Sequence, residues 1–216
     1  IFDATADDVG LHLDLGTVST RSQLARSFTV SYGYPIAFLD VELDLQKINT
    51  PTDNVVVEIA SGTGSAALAT ATIPASSIEA DRGRVRASFA LPVAISTPAT
   101  LYIRVKRSGA IDAANFVRVW LNETGPTDGG ALVVYNGSTW AAWSGDLIFS
   151  LTVGAETTQQ VKNLITAAGQ FFGGLDIEAV SGVYAPIATS SDTTAQKRIE
   201  DLLGMGNRSE EHTSEL

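Results

Sequence analysis

Apolar and polar residues alternate with a period of two over most of residues 10–153. The segment IAFLDVELDLQKI is the clearest case, because Leu39, Val41, Leu43 and Leu45 alternate there with acidic and amide residues. A period of two places successive side chains on opposite faces of a strand, so this segment predicts a strand with one buried face and one face in water. The same alternation recurs in NVVVEIAS, TLYIRVKRS and DLIFSLTV.

Turn-forming residues separate these apolar segments. They occur in NTPTDN, SGTG, DRG, RSGAIDAAN, TGPTDGG and YNGSTW, where Gly, Asn and Asp tolerate positive φ and Pro fixes its own φ. Short strands at this spacing predict an antiparallel β-sandwich of the jelly-roll type over residues 10–153, preceded by a lead-in at residues 1–9.

The period changes after Gly154. The segments ETTQQVKNLITAAGQFF and SSDTTAQKRIEDLLGMG have apolar residues at helical spacing, and LDIEAVSGV between them is typical of a strand. Helix, strand and helix without a partner sheet form an incomplete core. We therefore expect a mainly β protein in which residues 155–207 are a small, partial α/β segment belonging to a further domain.

The last nine residues have a different origin from the rest of the sequence in this interpretation. Residues 208–216, RSEEHTSEL, resemble the in-frame translation of a DNA-sequencing adapter, and we expect them not to be native. Removing their one Arg and three Glu changes the formal net charge from −10 to −8.

The acidic charge restricts the partners. A chain without basic clusters is repelled by phosphate backbones and anionic lipid, so we expect no nucleic-acid binding. No apolar stretch approaches the roughly 18 residues that a membrane-spanning helix needs, so we expect no membrane insertion. Neutral or cationic partners fit the composition better.

Catalytic chemistry has few candidates in this sequence. The chain has no cysteine, and His12 is the one histidine before the adapter-like segment. No GxSxG or SxxK motif accompanies it, and one imidazole is too few ligands for a transition metal. Alternation of His12 with Leu11 and Leu13 predicts a solvent-facing position on a strand. We expect neither an enzyme nor a bound cofactor.

A glycine-rich segment invites a dinucleotide-binding interpretation. GTGSAA follows an apolar strand and fits the relaxed fingerprint, but LATATIP after it is Thr-rich and reaches Pro74, where the fingerprint requires a long helix. The segment therefore predicts a hairpin loop.

Calcium needs only oxygen ligands, so it is the one metal with candidates here. Four aspartates lie in or beside predicted turns, although without the spacing of an EF-hand, and capping of those turns is the alternative role: Asp53, Asp112, Asp128 and Asp146.

Aromatic residues in the predicted loops are the strongest indication of function. Aromatic faces stack on the C–H faces of sugars or anchor protein interfaces, while neighbouring amides supply directional hydrogen bonds. The alternative is that the rings cap the ends of the sandwich. The candidate binding residues lie in SYGYP, in YNGSTWAAW and between them: Tyr32, Tyr34, Trp120, Tyr135, Asn136, Trp140 and Trp143.

Several of these features occur together in a known group of proteins. The PTDN turn before a Val-rich strand, the FALP step leading into LYIRV, and the closing Trp followed by DLIFSL resemble the galactose-binding-like jelly-roll modules of bacterial surface proteins and tailed-bacteriophage tail proteins. The resemblance covers residues 10–153, and residues 155–207 are similar to part of a tail or tail-hub protein.

The resemblance implies a function and a setting. Such modules bind glycans or decorate an assembly without catalysis, so it implies carbohydrate recognition at a host surface, with a purely structural tail component as the alternative. It also implies contacts with other virion proteins, a homo-oligomer within a tail, and a location in the phage tail or on the bacterial cell surface.

Overall fold

The structure is a computed structural model that describes residues 2–3, 10–31, 36–90, 94–95, 97–123, 130–156, 160 and 184–186. Within these residues the regular elements are strands, two short 3-10 helices, Ser19–Arg21 and Ala75–Ser77, and one α-helical position at Gln160. The strands are β1 Phe2–Asp3, β2 His12–Leu15, β3 Gln23–Val30, β4 Ile36–Ile48, β5 Val55–Ala60, β6 Ala67–Ile73, β7 Gly83–Ser88, β8 Ala94–Ile95, β9 Ala99–Arg107, β10 Phe116–Asn122, β11 Leu132–Tyr135, β12 Trp140–Ala142, β13 Asp146–Leu147, β14 Phe149–Glu156 and β15 Tyr184–Pro186.

These strands form two antiparallel sheets. Sheet I is built around the long strand β4, which pairs with β7 and β8 along one edge and with β14 and β10 along the other. Strands β1 and β15 extend it beyond β14, β2 extends it beyond β10, and β13 also pairs with β10. Sheet II has the order β12-β11-β3-β9-β5-β6. The predicted mainly β chain with antiparallel sheets is confirmed.

The hydrophobic core lies between the two sheets, because alternate residues of both contribute to one cluster of buried side chains. Phe28 of sheet II is at its centre. Its ring centroid lies 6.0 Å from that of Phe38 and 6.2 Å from that of Phe149, both in sheet I. These edge-to-face and tilted contacts are favourable arrangements of aromatic quadrupoles, so the three rings join the sheets as well as filling space.

The alternation in β4 is interrupted at Leu39. Thr152 of β14 pairs with Asp40, whereas Val153 pairs with Phe38, so Leu39 is the extra residue of a β-bulge. Val41 is fully buried after the bulge and Phe38 before it, while Leu39 is only half-buried. The prediction that Leu39 shares the buried face of Val41 is therefore wrong, because one inserted residue reverses the face on which every earlier side chain lies.

A buried ion pair connects the sheets within the core. Arg26 of β3 and Asp146 of β13 are 2% and 5% exposed, although Leu24 and Phe28, on the same face of β3 as Arg26, belong to the apolar core. The Arg26 Nε donates to Asp146 Oδ1 at 2.9 Å and its Nη2 donates to Oδ2 at 3.1 Å. The guanidinium carbon also lies 5.2 Å from the centre of the Phe149 ring. This two-point contact compensates part of the cost of removing both charges from water.

The glycine-rich segment is a hairpin loop, as the sequence predicts. Strands β5 and β6 pair antiparallel on either side of it. Arg104 of β9 donates from Nη1 to the carbonyl oxygens of Thr63 and Ser65, at 2.9 and 2.7 Å. These loop carbonyls face a cation, whereas a phosphate-binding loop directs backbone N–H groups at an anion.

Most of residues 155–207 lie outside the described residues, including the second predicted helix, the predicted strand in LDIEAVSGV and nearly all of the first predicted helix, of which Gln160 is described and is helical. Within that range, β15 pairs with the end of β14, where Ala185 lies opposite Ala155. The chain beyond the predicted sandwich thus adds a strand to sheet I.

Candidate binding surface

Two predicted binding residues form a cross-strand aromatic pair on the hairpin of β11 and β12. Tyr135 lies opposite Trp140, and the ring centroids are 5.5 Å apart with the planes tilted by 59°. Both side chains are half-buried. Neighbouring Leu132 and Val134 point into the core, so the alternation of the strand places Tyr135 and its partner on the outer face of sheet II.

Asn136 holds the turn that brings the two rings together. Its Oδ1 accepts hydrogen bonds from the backbone N–H groups of Ser138 and Thr139, at 3.1 and 2.9 Å. Gly137 has φ +97°, a conformation that side chains rarely adopt. The amide side chain therefore acts on the backbone of the hairpin and pre-organises the aromatic pair.

Polar side chains continue this outer face beside the rings. Gln23 of β3 lies opposite Lys106 of β9, and the Lys106 ammonium is 2.7 Å from Oε1 of Glu58. Arg104 lies 2.8 Å from the other oxygen of Glu58. The outer face of sheet II thus combines an aromatic pair at one edge with amide and ion-paired groups nearer its centre.

Trp143 has a different environment, although it is only three residues from Trp140. It packs against the hydrophobic core, and its backbone N–H donates to the carbonyl of Leu132 at 2.9 Å. The guanidinium carbon of Arg21 lies 5.7 Å from its ring centre. This ring belongs to the junction between hairpin and core.

Trp120 lies on the other sheet. Its ring in β10 is 5.4 Å from the ring of His12 and 5.3 Å from the guanidinium carbon of Arg82. His12 follows the predicted alternation, since Leu13 and Leu15 of β2 are buried while the imidazole is 35% exposed. The structure therefore brings together Tyr135, Asn136 and Trp140 but not Trp120. Tyr32 and Tyr34 lie outside the described residues.

The sequence analysis did not identify a set of Arg–Asp ion pairs around Trp120 on the outer face of sheet I. Asp44 accepts hydrogen bonds from Arg82 and from Arg84, the latter at 3.0 Å, and Arg118 donates to Asp14 at 2.8 Å. The sequence does contain an indication of these ion pairs. Strand β4 has acidic residues at every second position, and the RVR segment of β7 has basic residues with the same period. Only the pairing of the two strands shows that they meet.

The described calcium candidates all accept hydrogen bonds from protein groups. Asp53 accepts from Arg107 and from the backbone N–H of Gly109. Asp112 caps its own turn by accepting from the N–H groups of Ala114 and Asn115, and Asp146 pairs with Arg26 as described above. Asp128 lies outside the described residues.

Hydrogen bonding changes the acidity of Asp53. Burial raises the pKa of its carboxyl, but hydrogen bonds from Arg107 and Gly109 lower it more, so that the pKa lies below its ordinary value of 3.8. A carboxyl with a depressed pKa contributes stability that is fully present above the unfolded-state pKa and is lost as the pH falls through the folded-state pKa.

We therefore expect Asp53→Asn to lower the melting temperature by a few degrees at pH 7, since hydrogen bonds to charged groups contribute roughly 1.5 to 3 kcal/mol. The difference from wild type should shrink as the pH falls below about 4. Thermal melts of both proteins from pH 2.5 to 7 measure this difference in melting temperature. Asp81→Asn is the control, at an exposed position. A constant difference across this range would contradict the role assigned to the Asp53 carboxylate.

Among the described residues, no group of three or more His, Asp or Glu side chains is placed to hold a metal ion. The same part of the chain contains no helix long and apolar enough to cross a membrane. No protein-family model matches the sequence, and comparison with the curated proteins gives no match either.

Proposed function

We propose that the chain is a non-catalytic module that binds carbohydrate on a host or bacterial surface through Tyr135 and Trp140. The observation that carries the proposal is their contact on an outward-facing hairpin, with ring centroids 5.5 Å apart. Tilted rings present two apolar planes at an angle, which suits the C–H faces of a sugar. The Asn136 turn holds these planes in place before a ligand arrives, and this reduces the entropy lost on binding.

Binding to a single site of this kind should be weak. A contact made by two aromatic planes lies near the millimolar range, where the binding free energy is about −4 kcal/mol. Multiple copies in an oligomer raise the apparent affinity without new contacts. The proposal therefore includes a homo-oligomer that also contacts other virion or surface proteins.

The sequence resemblance to galactose-binding-like jelly rolls supports a setting in a bacteriophage tail or on a bacterial cell surface. Two antiparallel sheets around one core are compatible with a jelly roll. In this proposal residues 155–207 continue into a tail-hub-like part of the protein.

A structural role is the second candidate, and two tryptophans favour it. Trp143 packs against the core, and Trp120 lies against His12 and Arg82. If the remaining aromatic pair only stabilises the hairpin, the sandwich would decorate or stiffen an assembly without a ligand of its own.

The carbohydrate affinity of the Trp140→Ala variant distinguishes the binding function from the structural one. We expect this variant, fused to a trimerisation domain, to lose at least about fivefold in apparent affinity on a glycan array or on bacterial cells, since an aromatic contact contributes roughly 1 kcal/mol at each site. Its melting temperature should stay within a few degrees of wild type because the ring is half-buried.

Trp120→Ala is the matched control, since it removes the same side chain from the other sheet. Equal losses for both variants, or no binding by the wild-type oligomer to any glycan or cell, would reject the hairpin site and favour the structural role.

A further inference from the structure

A groove of about 400 Å³ lies at one end of the sandwich, away from the aromatic hairpin. It is formed by the end of β4, the loop of residues 49–54 and the start of the 3-10 helix after β6. Pro51 and Ala75 are buried and supply an apolar floor, while the exposed rim carries hydroxyl and amide groups of Asn49, Thr52 and Ser76. Its volume falls in the range of pockets that bind small molecules.

The walls of the groove are held in place by hydrogen bonds to other loops. Asn49, at φ 58°, donates from Nδ2 to the carbonyl of Ala114 at 2.6 Å. The backbone N–H of Thr50 donates to Asn115 Oδ1, and that of Ala75 donates to Asn54 Oδ1. These contacts join three separate loops, so the groove is formed before any ligand binds.

Lys47 gives the groove its charge. It follows Leu43 and Leu45 on the face of β4 that points between the sheets, at the place where the core opens into the groove. The other Lys and Arg side chains of the described residues form ion pairs or lie over an aromatic ring. The ammonium of Lys47 has no such contact within that part of the chain.

We infer that this groove binds a small polyhydroxylated ligand through one carboxylate, as in a sugar acid. Lys47 supplies the charge-assisted hydrogen bond to the carboxylate. Among the described residues the hydroxyl groups of Thr52 and Ser76 have no hydrogen-bond partner, so they can bond to ligand hydroxyls, and the floor of Pro51 and Ala75 accepts a C–H face.

The inference goes beyond the proposed function, because the site shares no residue with the aromatic pair. Tyr135 lies in β11, whereas Asn54 of the groove directly precedes β5, and β3 and β9 lie between these two strands, which makes roughly 14 Å across three strand spacings. A substitution that abolishes binding at the aromatic pair should therefore leave binding in the groove unchanged, and the reverse.

The test is a titration of the ¹⁵N-labelled full chain with galacturonate, and separately with neutral galactose, at moderate salt. We expect saturable amide shifts in residues 49–54 and 75–76 with galacturonate and much weaker ones with galactose. Lys47→Gln should raise the Kd for galacturonate at least about tenfold, as loss of a hydrogen bond to a charged group predicts. A parallel titration with oligogalacturonate shows whether free acid or polymer is the better source of the ligand.

Lys106→Gln is the control for charge alone, since that lysine is paired with Glu58 on the outer face of sheet II. Equal weakening by both substitutions, equal binding of galactose and galacturonate, or the absence of saturable shifts would overturn the inference. Retained galacturonate binding in Trp140→Ala would show that this site does not depend on the aromatic pair.

Discussion

Asp146→Ala is expected to lower the melting temperature by roughly 6 to 20 °C. Removing one partner of a buried ion pair costs about 3 to 5 kcal/mol, and each kcal/mol corresponds to about 2 to 4 °C in a domain of this size. The cost arises because Arg26, 2% exposed, would keep its charge in the core after losing the two-point contact with the Asp146 carboxylate. Circular dichroism or differential scanning fluorimetry at pH 7 measures the effect.

Two comparisons separate the loss of this buried ion pair from other consequences of the substitution. Asp40→Ala removes an ion pair whose Arg86 side chain is 59% exposed, so it should cost less than about 1 kcal/mol. Arg26→Met combined with Asp146→Leu removes both charges and should recover most of the lost stability. A double variant as unstable as Asp146→Ala would show that shape and hydrogen bonds, rather than the charge, account for the loss.

Phe28→Ala is expected to destabilise the sandwich by about 3 to 5 kcal/mol, the usual cost of removing a fully buried aromatic ring. The ring is 1% exposed and contacts Phe38 and Phe149 of the opposite sheet, so a cavity would open where the two sheets meet. Urea denaturation gives the free energy of unfolding directly.

Leu68→Ala serves as the control, because that side chain is 38% exposed on the edge strand β6 and should change stability by less than about 0.5 kcal/mol. If Phe28→Ala cost no more than this control, the three phenylalanine rings would not be the contact that joins the sheets.

Strands were predictable wherever alternation of side chains decides which face is buried. Leu101, Ile103 and Val105 of β9 and the apolar residues of β14 are buried as their spacing indicates. A period-two pattern indicates on which face of a strand a residue lies relative to its near neighbours along the chain. This local property is enough to define strands and hairpins such as the one that contains GTGSAA.

Two features could not be predicted because they depend on pairing between distant residues. The bulge at Leu39 exists only in relation to β14, so nothing in IAFLDVELDLQKI marks it. Arg26 points inward at a position where a charge is normally excluded, and its partner is 120 residues away. An isolated Arg in ARSFTV gives no indication of such a partner.

The candidate binding residues divide in the same way. Tyr135, Asn136 and Trp140 lie within one hairpin, so their closeness in space follows from their closeness in sequence. From the sequence, Trp120 groups with the aromatic residues of the loops, whereas the structure places it in strand β10 of sheet I. The groove around Lys47 combines the end of β4, the loop of residues 49–54 and the 3-10 helix after β6, a combination that single-sequence patterns do not contain.

The position of β14 in sheet I has a consequence for synthesis of the protein on the ribosome. Strand β4 pairs along residues 36–43 with β14, which follows it by about a hundred residues. At roughly 5 to 20 residues per second, this edge of β4 waits about 5 to 20 s for its partner after it is made. Unpaired strand edges are templates for association with other chains. The nascent chain is therefore most exposed to misassembly during this interval, before Phe149–Glu156 has emerged.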